Sequence, residues 1–252
     1  MVRFMGFSGV EMAANEKDTS EWFKDWSNDY DDTLGKIDRH QQLLNLAVEL
    51  SNVKNGERVL DVGCGTGLLS LKFLEKADCL ITGVDSSAEM LAIFSDKIKK
   101  LSLSDRVTLK LEDAATLDFK PNSFDIAAST VALHHLQNKQ PTIEKIHDIL
   151  KPEGRFVLGD IDMDTTGDVT DPKRLRRMLE WLTDEYVLAL TSGGTEAFSR
   201  MYDNGKKHIL NDGEYCISFK QWEKLCTEAN FSKVTVHPLH GFKWFKVLVA
   251  VK

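Results

Sequence analysis

At 252 residues the chain is long for one domain and short for two, at about 150 residues per domain. A 42% apolar and 28% charged composition is that of a globular protein and excludes wholesale disorder. Thirty-two Lys and Arg against 39 Asp and Glu leave a net charge of −7, which argues against a nucleic-acid backbone as partner.

The segment from Glu11 to Asp32 carries eight acids, two lysines and four aromatics, Trp22, Phe23, Trp26 and Tyr30. Aromatics are costly to leave in water, so residues 1–36 are expected to be an arm that folds back over something. Leu43, Leu44, Leu46, Ala47 and Leu50 have helical period, ending before the Asn55-Gly56 turn. Strands then alternate with helices. Arg58–Val62 is β-rich, Leu68–Ala77 helical and Leu80–Val84 a second strand. Ser86-x-x-Glu89 reads as a capping box for the next helix. Val107–Leu111 and the apolar Phe124–Ser129 are strands three and four. A helix from Pro141 and a fifth strand over Phe156–Ile161, after the Pro152-Glu153-Gly154 turn, complete the run.

From 162 to 215 the alternation lapses. Asp171-Pro172 opens a helix with the apolar stripe Leu175, Met178, Leu179, Leu182, Tyr186 and Leu190, stopped at Gly193-Gly194. A second helical stretch follows over Glu196–His208. This reads as a helical cap inserted into an α/β domain made of 37–161 and 216–252. Ser218-x-x-Gln221 is another capping box, and Lys233–Pro238 with Phe242–Val251 forms a closing antiparallel hairpin. Strands alternating with helices mean a doubly wound, mostly parallel sheet.

The start of the chain lacks a sustained apolar core or cleavage site, and no apolar run approaches the ~20 residues of a membrane span. The expectation is a cytoplasmic protein without stable membrane insertion. Cys64, Cys79, Cys216 and Cys226 show no C-x-x-C pair and no metal-ligand spacing, so they read as free thiols, and no metal is expected.

The run Val59-Leu60-Asp61-Val62-Gly63-Cys64-Gly65-Thr66-Gly67 carries the chemistry. A strand ends, three glycines follow at every second position, and a helix begins. Glycine lets the backbone turn tightly and lets a ligand approach it, while the helix start offers free N–H groups. The spacing is G-x-G-x-G, not the G-x-G-x-x-G of dinucleotide sites, and Asp61 would repel a pyrophosphate but welcome a cationic ligand. Asp85 ends the second strand, where an acid accepts hydrogen bonds from both hydroxyls of a ribose. Asp113, after the third, is placed to accept from an adenine amino group, and Ser129 and Thr130 end the fourth at the same sheet edge. Ligands of open α/β sheets bind outside these strand ends. The four ends describe a nucleoside site with an added positive pole.

VLDVGCGTG at 59–67, VDSSAEML at 84–91, LEDA at 111–114, FDIAASTVALHHL at 124–136 and LKPEGRFVLGD at 150–160 resemble class I S-adenosylmethionine-dependent methyltransferases. The likeness is to the small-molecule branch that includes the ubiquinone- and menaquinone-biosynthesis type. It implies seven strands in the order 3-2-1-4-5-7-6 with the seventh antiparallel. It also implies that S-adenosylmethionine is held by Asp61, Gly63, Cys64, Gly65, Gly67, Asp85, Ser86, Met90, Glu112, Asp113, Ala114, Ser129 and Thr130. The arm W-F-x-x-W-x-x-x-Y-D resembles one that closes over the cofactor, which adds Tyr30. The implied reaction is in-line methyl transfer to a small-molecule acceptor, with the cap lining the acceptor pocket. The position after the fourth strand lacks the D/N-P-P-aromatic tetrapeptide of nucleic-acid amino-methylating enzymes. Of two adjacent histidines, His135 is the candidate general base; the other reading has such a histidine satisfying backbone groups beneath the sheet end. Two alternatives stand beside this reading: a protein that senses S-adenosylmethionine without catalysis, and an NAD-dependent oxidoreductase. The oligomeric state is not readable.

Overall fold

The computed structural model describes residues 31, 37–168, 170–205 and 215–252. Tyr30 and most of the arm lie outside the described residues. Seven strands form one sheet: β1 Arg58–Val62, β2 Leu80–Asp85, β3 Val107–Leu111, β4 Phe124–Thr130, β5 Leu150–Ile161, β6 Lys233–Pro238 and β7 Phe245–Val251. The helices are α1 Asp38–Ser51, α2 Leu68–Lys76, α3 Ala88–Lys100, α4 Gln140–Ile149, α5 Pro172–Asn204 and α6 Phe219–Glu228. Strand order is β3-β2-β1-β4-β5-β7-β6, with β7 antiparallel to both neighbours and the remaining pairs parallel, as the resemblance implied.

The central strands are apolar on both faces because both faces are covered. On β1, Val59 joins a core with α1, α2 and α3 that includes Leu43, Phe73 and Phe94. Leu60 and Val62 point the other way, into a core with α4 and α6 built on Ile143, Phe219 and Trp222. β1 and β4 are parallel neighbours, and the strand order runs outward from them in opposite directions, so the carboxyl ends of β1, β2, β3 and β4 face one crevice.

Several local expectations are corrected. The cap of α3 is Ser87, not Ser86: the Ser87 hydroxyl accepts from the Met90 amide, while the Ser87 amide is held by Asp85. β5 begins at Leu150, and Pro152-Glu153-Gly154 is an excursion within it, with Glu153 at φ 62° and the register against β4 jumping from Leu150 to Arg155. Within α5 the Gly193-Gly194 stop holds as expected: Gly194, at φ 70° and ψ −162°, is non-helical, and two helices meet there at a kink. The buried stripe of α5 keeps Met178 and Leu182 of the expected one but is shifted around the helix. Leu179 and Leu190 face solvent, whereas Arg174, Met178, Trp181, Leu182, Glu185 and Ala189 are buried.

That stripe carries two charges because each has a partner below it. Arg174 Nε donates to the Thr165 carbonyl at 2.6 Å. Glu185 meets Arg39 of α1 at 2.8 Å, both side chains about 5% exposed, and the Arg39 guanidinium lies 4.1 Å over the Phe245 ring of β7. Burial pushes the Glu185 carboxyl up, and the Arg39 charge opposes the shift. Removing one member of such a pair strands the other charge, so Glu185→Ala should cost about 3–5 kcal/mol in denaturant melts. Replacing both at once, Arg39→Met with Glu185→Leu, should come close to neutral. A single variant as stable as the parent would mean that the ion pair does not dock α5 on α1.

Candidate functional site

A cavity of about 820 Å3 occupies the crevice at these strand ends. Its floor is the turn from β1 into α2. Gly63, Gly65 and Gly67 have φ of 70°, 52° and 86°, and a Cβ on Gly63 would lie 2.5 Å from that of Ala132, so only glycine fits that crossing. Above Gly65 there is open space instead, a cradle in which a ligand can approach the backbone. Gly67 is the N-cap of α2, where a Cβ would strike the Phe94 ring.

Three strand-end carboxylates face the cavity: Asp61, Asp85 and Asp113. Asp85 Oδ2 accepts from the Gly65 amide at 2.8 Å and Oδ1 from the Ser87 amide at 2.9 Å, so β2 holds the glycine turn and the start of α3 together. A carboxylate has about four lone-pair sites, so both oxygens remain able to accept from a ligand. Burial raises the pKa of Asp85 despite these amides. Asp113 Oδ1 caps the following turn by accepting from the Ala115 amide at 2.8 Å. Asp61 is 1% exposed, with Oδ2 accepting from Ser70 at 2.6 Å, and burial, aided by the charge of Asp85, pushes its pKa up to about 7.

Cys64, Ser86, Met90, Ala114, Thr130 and His135 line the cavity with these carboxylates. Gly67, Glu112 and Ser129 are not part of the lining. The Glu112 carboxylate is engaged by Lys110 and the Asp118 amide, and the Ser129 hydroxyl donates to the Val62 carbonyl at 2.7 Å, fastening β4 to β1. The lining also includes residues not singled out from the sequence, among them His40, Leu44, Thr66, Gln137 and Asn138. His40 is one of three polar residues, with Arg39 and Ser51, that are buried along α1. Burial, with Arg39 beside it, lowers its pKa to about 3, so it is a neutral imidazole at pH 7. Among the described residues no cluster of His, Cys, Asp or Glu could hold a metal ion, and no helix is long and apolar enough to cross a membrane. All four cysteines are free and buried.

An open glycine cradle, carboxylates at successive strand ends and apolar Met90 and Ala114 between them suit an adenosine-bearing, positively charged ligand; G-x-G-x-G beside Asp61 does not suit a pyrophosphate. The fold and the site therefore define a doubly wound nucleoside-binding protein of the S-adenosylmethionine-using class. Residues 53–229 match the family described as Methyltransferase domain, and the chain belongs to it: it is an S-adenosylmethionine-dependent methyltransferase. It is 29% identical over 243 residues to the ubiquinone/menaquinone biosynthesis C-methyltransferase UbiE of Pseudomonas syringae pv. tomato, covering 92% of this chain and 88% of that one. It is also 29% identical over 151 residues to the 27-O-demethylrifamycin SV methyltransferase of Amycolatopsis mediterranei, where the match covers 57% of this chain and a little over half, 56%, of the relative. Among solved structures, phosphoethanolamine N-methyltransferase 2 of Haemonchus contortus in complex with S-adenosyl-L-methionine shares the fold, with a TM-score of 0.60 at 18% identity over 91% of this chain and 60% of that one. A methyltransferase from Aquifex aeolicus does so at 0.57 and 17%, covering 93% and 99%.

Proposed function

We propose that this methyltransferase acts on a small-molecule acceptor that enters the same cavity as S-adenosylmethionine. The observation that carries this reading is a cavity of about 820 Å3 in which the glycine cradle and the three carboxylates share one space with His135 and Tyr215. That volume is near the upper end for small-ligand pockets, which gives two ligands room to meet. Relatives named for a rifamycin precursor, for ubiquinone and menaquinone biosynthesis and for phosphoethanolamine support an acceptor of this size.

The placement of the lining residues supports the following roles. Asp85 accepts from the ribose hydroxyls, Asp113 faces the adenine edge, and Met90 with Ala114 encloses the base. Cys64, Gly63 and Gly65 form the floor, and Asp61 answers the positive pole. S-adenosylmethionine, when bound, supplies an electrophilic methyl group on sulfonium. The protein's part is then to align the two ligands, exclude water and take any proton the acceptor atom releases. His135 is the residue on the acceptor wall able to do that at neutral pH. Residues 162–215 act as the acceptor cap on the cofactor-binding unit of 37–161 and 216–252. No metal is required in this scheme, and four buried free thiols suit a reducing cytoplasm.

Calorimetry should show S-adenosylhomocysteine bound and NAD not bound. With methyl-labelled S-adenosylmethionine and a cell extract, the label should pass into the small-molecule fraction. Label found only in protein or nucleic acid would overturn the acceptor class, and NAD bound as tightly as S-adenosylhomocysteine would overturn the site.

Asp61 makes cofactor affinity depend on pH. Its folded-state pKa is raised from 3.8 to about 7, so the ligand-free protein loses stability as pH rises through that interval, and ionisation is complete only above it. A cation beside Asp61 favours the ionised form, so binding releases a proton. Affinity for S-adenosylmethionine should therefore climb up to about tenfold per pH unit below 7 and level off above it. Titrations between pH 5.5 and 8 in buffers of different ionisation enthalpy test both the slope and the proton. A flat profile would place the positive pole away from Asp61.

A further inference from the structure

After β4 the chain makes a single 3-10 turn, Leu133–His135, and its two histidines take different surroundings. His135 lines the cavity, half-buried. His134 is buried behind the wall, with its ring centroid 4.1 Å from that of His135 and the planes tilted by 46°. Beneath both, at the end of β5, Asp160 is fully buried. Its Oδ1 lies 2.7 Å from His134 Nδ1 and also accepts from the Ile161 amide at 2.8 Å. Its Oδ2 is buried without a hydrogen-bond partner.

A buried carboxylate oxygen left bare costs free energy that a neutral side chain in the same place would avoid. Packing alone gives no reason for the charge. Hydrogen bonding alone gives none either, since an amide oxygen would accept from His134 and Ile161 equally well. The neighbours make the charge useful. Lys139, also buried, donates to the Leu136 and Tyr215 carbonyls. Its pKa is lowered to about 8 by burial, against the attraction of Asp160 and Cys216, so at neutral pH it is a cation opposing this acid. Lys246, across from Asp160 in the β5–β7 register, is paired with Asp162 at 2.5 Å. Asp160 thus faces two groups able to carry positive charge, Lys139 through space and the His134 ring through a hydrogen bond. The Tyr215 amide donates to the His134 carbonyl at 3.1 Å, so the same small cluster fixes the acceptor wall to the returning end of the cap.

We propose that Asp160 and His134 are positioning residues for His135, holding its ring against the cavity and favouring the protonated ring that forms when the acceptor's reacting atom gives up a proton. In that step the bond from the acceptor atom to hydrogen breaks, its electron pair stays with the atom, and a new N–H bond forms on His135. The inference rests on the reading of His135 as the base, and it restricts acceptors to those whose reacting atom carries a proton, such as a hydroxyl or an amine.

The test needs no acceptor. In histidine-labelled protein, Asp160→Asn keeps an oxygen for His134 and Ile161 while removing the charge. The NMR titration midpoint of His135 should fall by about one pH unit, a tenfold loss of proton affinity. The melting temperature should not fall and S-adenosylhomocysteine affinity should stay as in the parent, which separates the effect from a structural one. A His135 midpoint that does not move in a folded Asp160→Asn protein overturns the proposal. Should that variant not fold, Lys139→Met removes the opposing cation and should move the midpoint upward; no movement, or movement downward, overturns it. Failure of the parent to bind S-adenosylhomocysteine would defeat the cofactor-site reading while leaving these titrations readable.

Discussion

Asp85→Ala should weaken S-adenosylhomocysteine binding by about 2–3 kcal/mol, the scale of a charge-assisted hydrogen-bond pair lost from a mostly buried site. In affinity this is roughly 30- to 150-fold. The loss has two sources in the geometry. The ribose acceptor disappears, and so does the bridge between the Gly65 and Ser87 amides that shapes the floor of the cavity. The second source makes Asp85→Asn less benign than a simple acceptor swap. With both oxygens accepting from backbone amides, an Asn must turn its NH2 group toward one of them, leaving that amide without an acceptor. Asn should therefore recover only part of the affinity lost in Ala, while Glu, one methylene longer, should move the floor. Isothermal titration of the three variants reads the order directly. An Asp85→Ala protein that binds as tightly as the parent would remove Asp85 from the ribose position.

The parts of this site legible in the sequence were those whose chemistry lies in consecutive residues. The glycine spacing, the acids closing β2 and β3 and the alternation of strand and helix are local patterns, and a crevice outside the strand ends follows from topology alone. What stayed hidden depends on pairing across distance. Nothing near Arg39 announces Glu185, 146 positions away, and that pair decides which face of α5 is buried. A reader counting apolar residues assigns Leu179 and Leu190 to the core, whereas the helix turns two charged residues, Arg174 and Glu185, inward because partners wait there. The same holds for His134 and Asp160, 26 positions apart, of which only the histidine drew notice. Choosing between Ser86 and Ser87 as the cap of α3 required knowing that Asp85 holds the Ser87 amide. The lining contributed by His40 depends on how α1 packs across β4 and β5, which no window of the sequence encodes.

Deleting residues 1–32 should leave the sheet folded yet cost most of the turnover. Among the described residues no strand begins before Arg58, and the core residues on both faces run from Leu43 onward. Asp31 gives the functional half of the expectation a physical anchor. Its Oδ1 accepts from the Thr66 hydroxyl at 2.6 Å, and its carboxylate pairs with Lys97. Lys97 in turn donates to the Thr66 carbonyl at 2.8 Å. The chain just before α1 is thus fastened to the glycine turn that forms the cavity floor, and the four aromatics of the arm precede that point. The proposed function gives the segment before Asp31 the task of keeping water from the reacting groups, and the Asp31 contacts are what this proposal rests on. Losing the segment should weaken S-adenosylhomocysteine binding and lower turnover by about two orders of magnitude, the size of effect that misaligned reactants produce. Asp31→Ala alone, which unties the segment without removing it, should fall between parent and truncation, because an exposed or half-exposed ion pair contributes under about 1 kcal/mol by itself. Thermal melts of all three proteins, with and without S-adenosylhomocysteine, separate the possibilities. A truncated protein that melts like the parent and shows the full ligand-induced shift would mean that the arm has no share in the site, and Tyr30 with it.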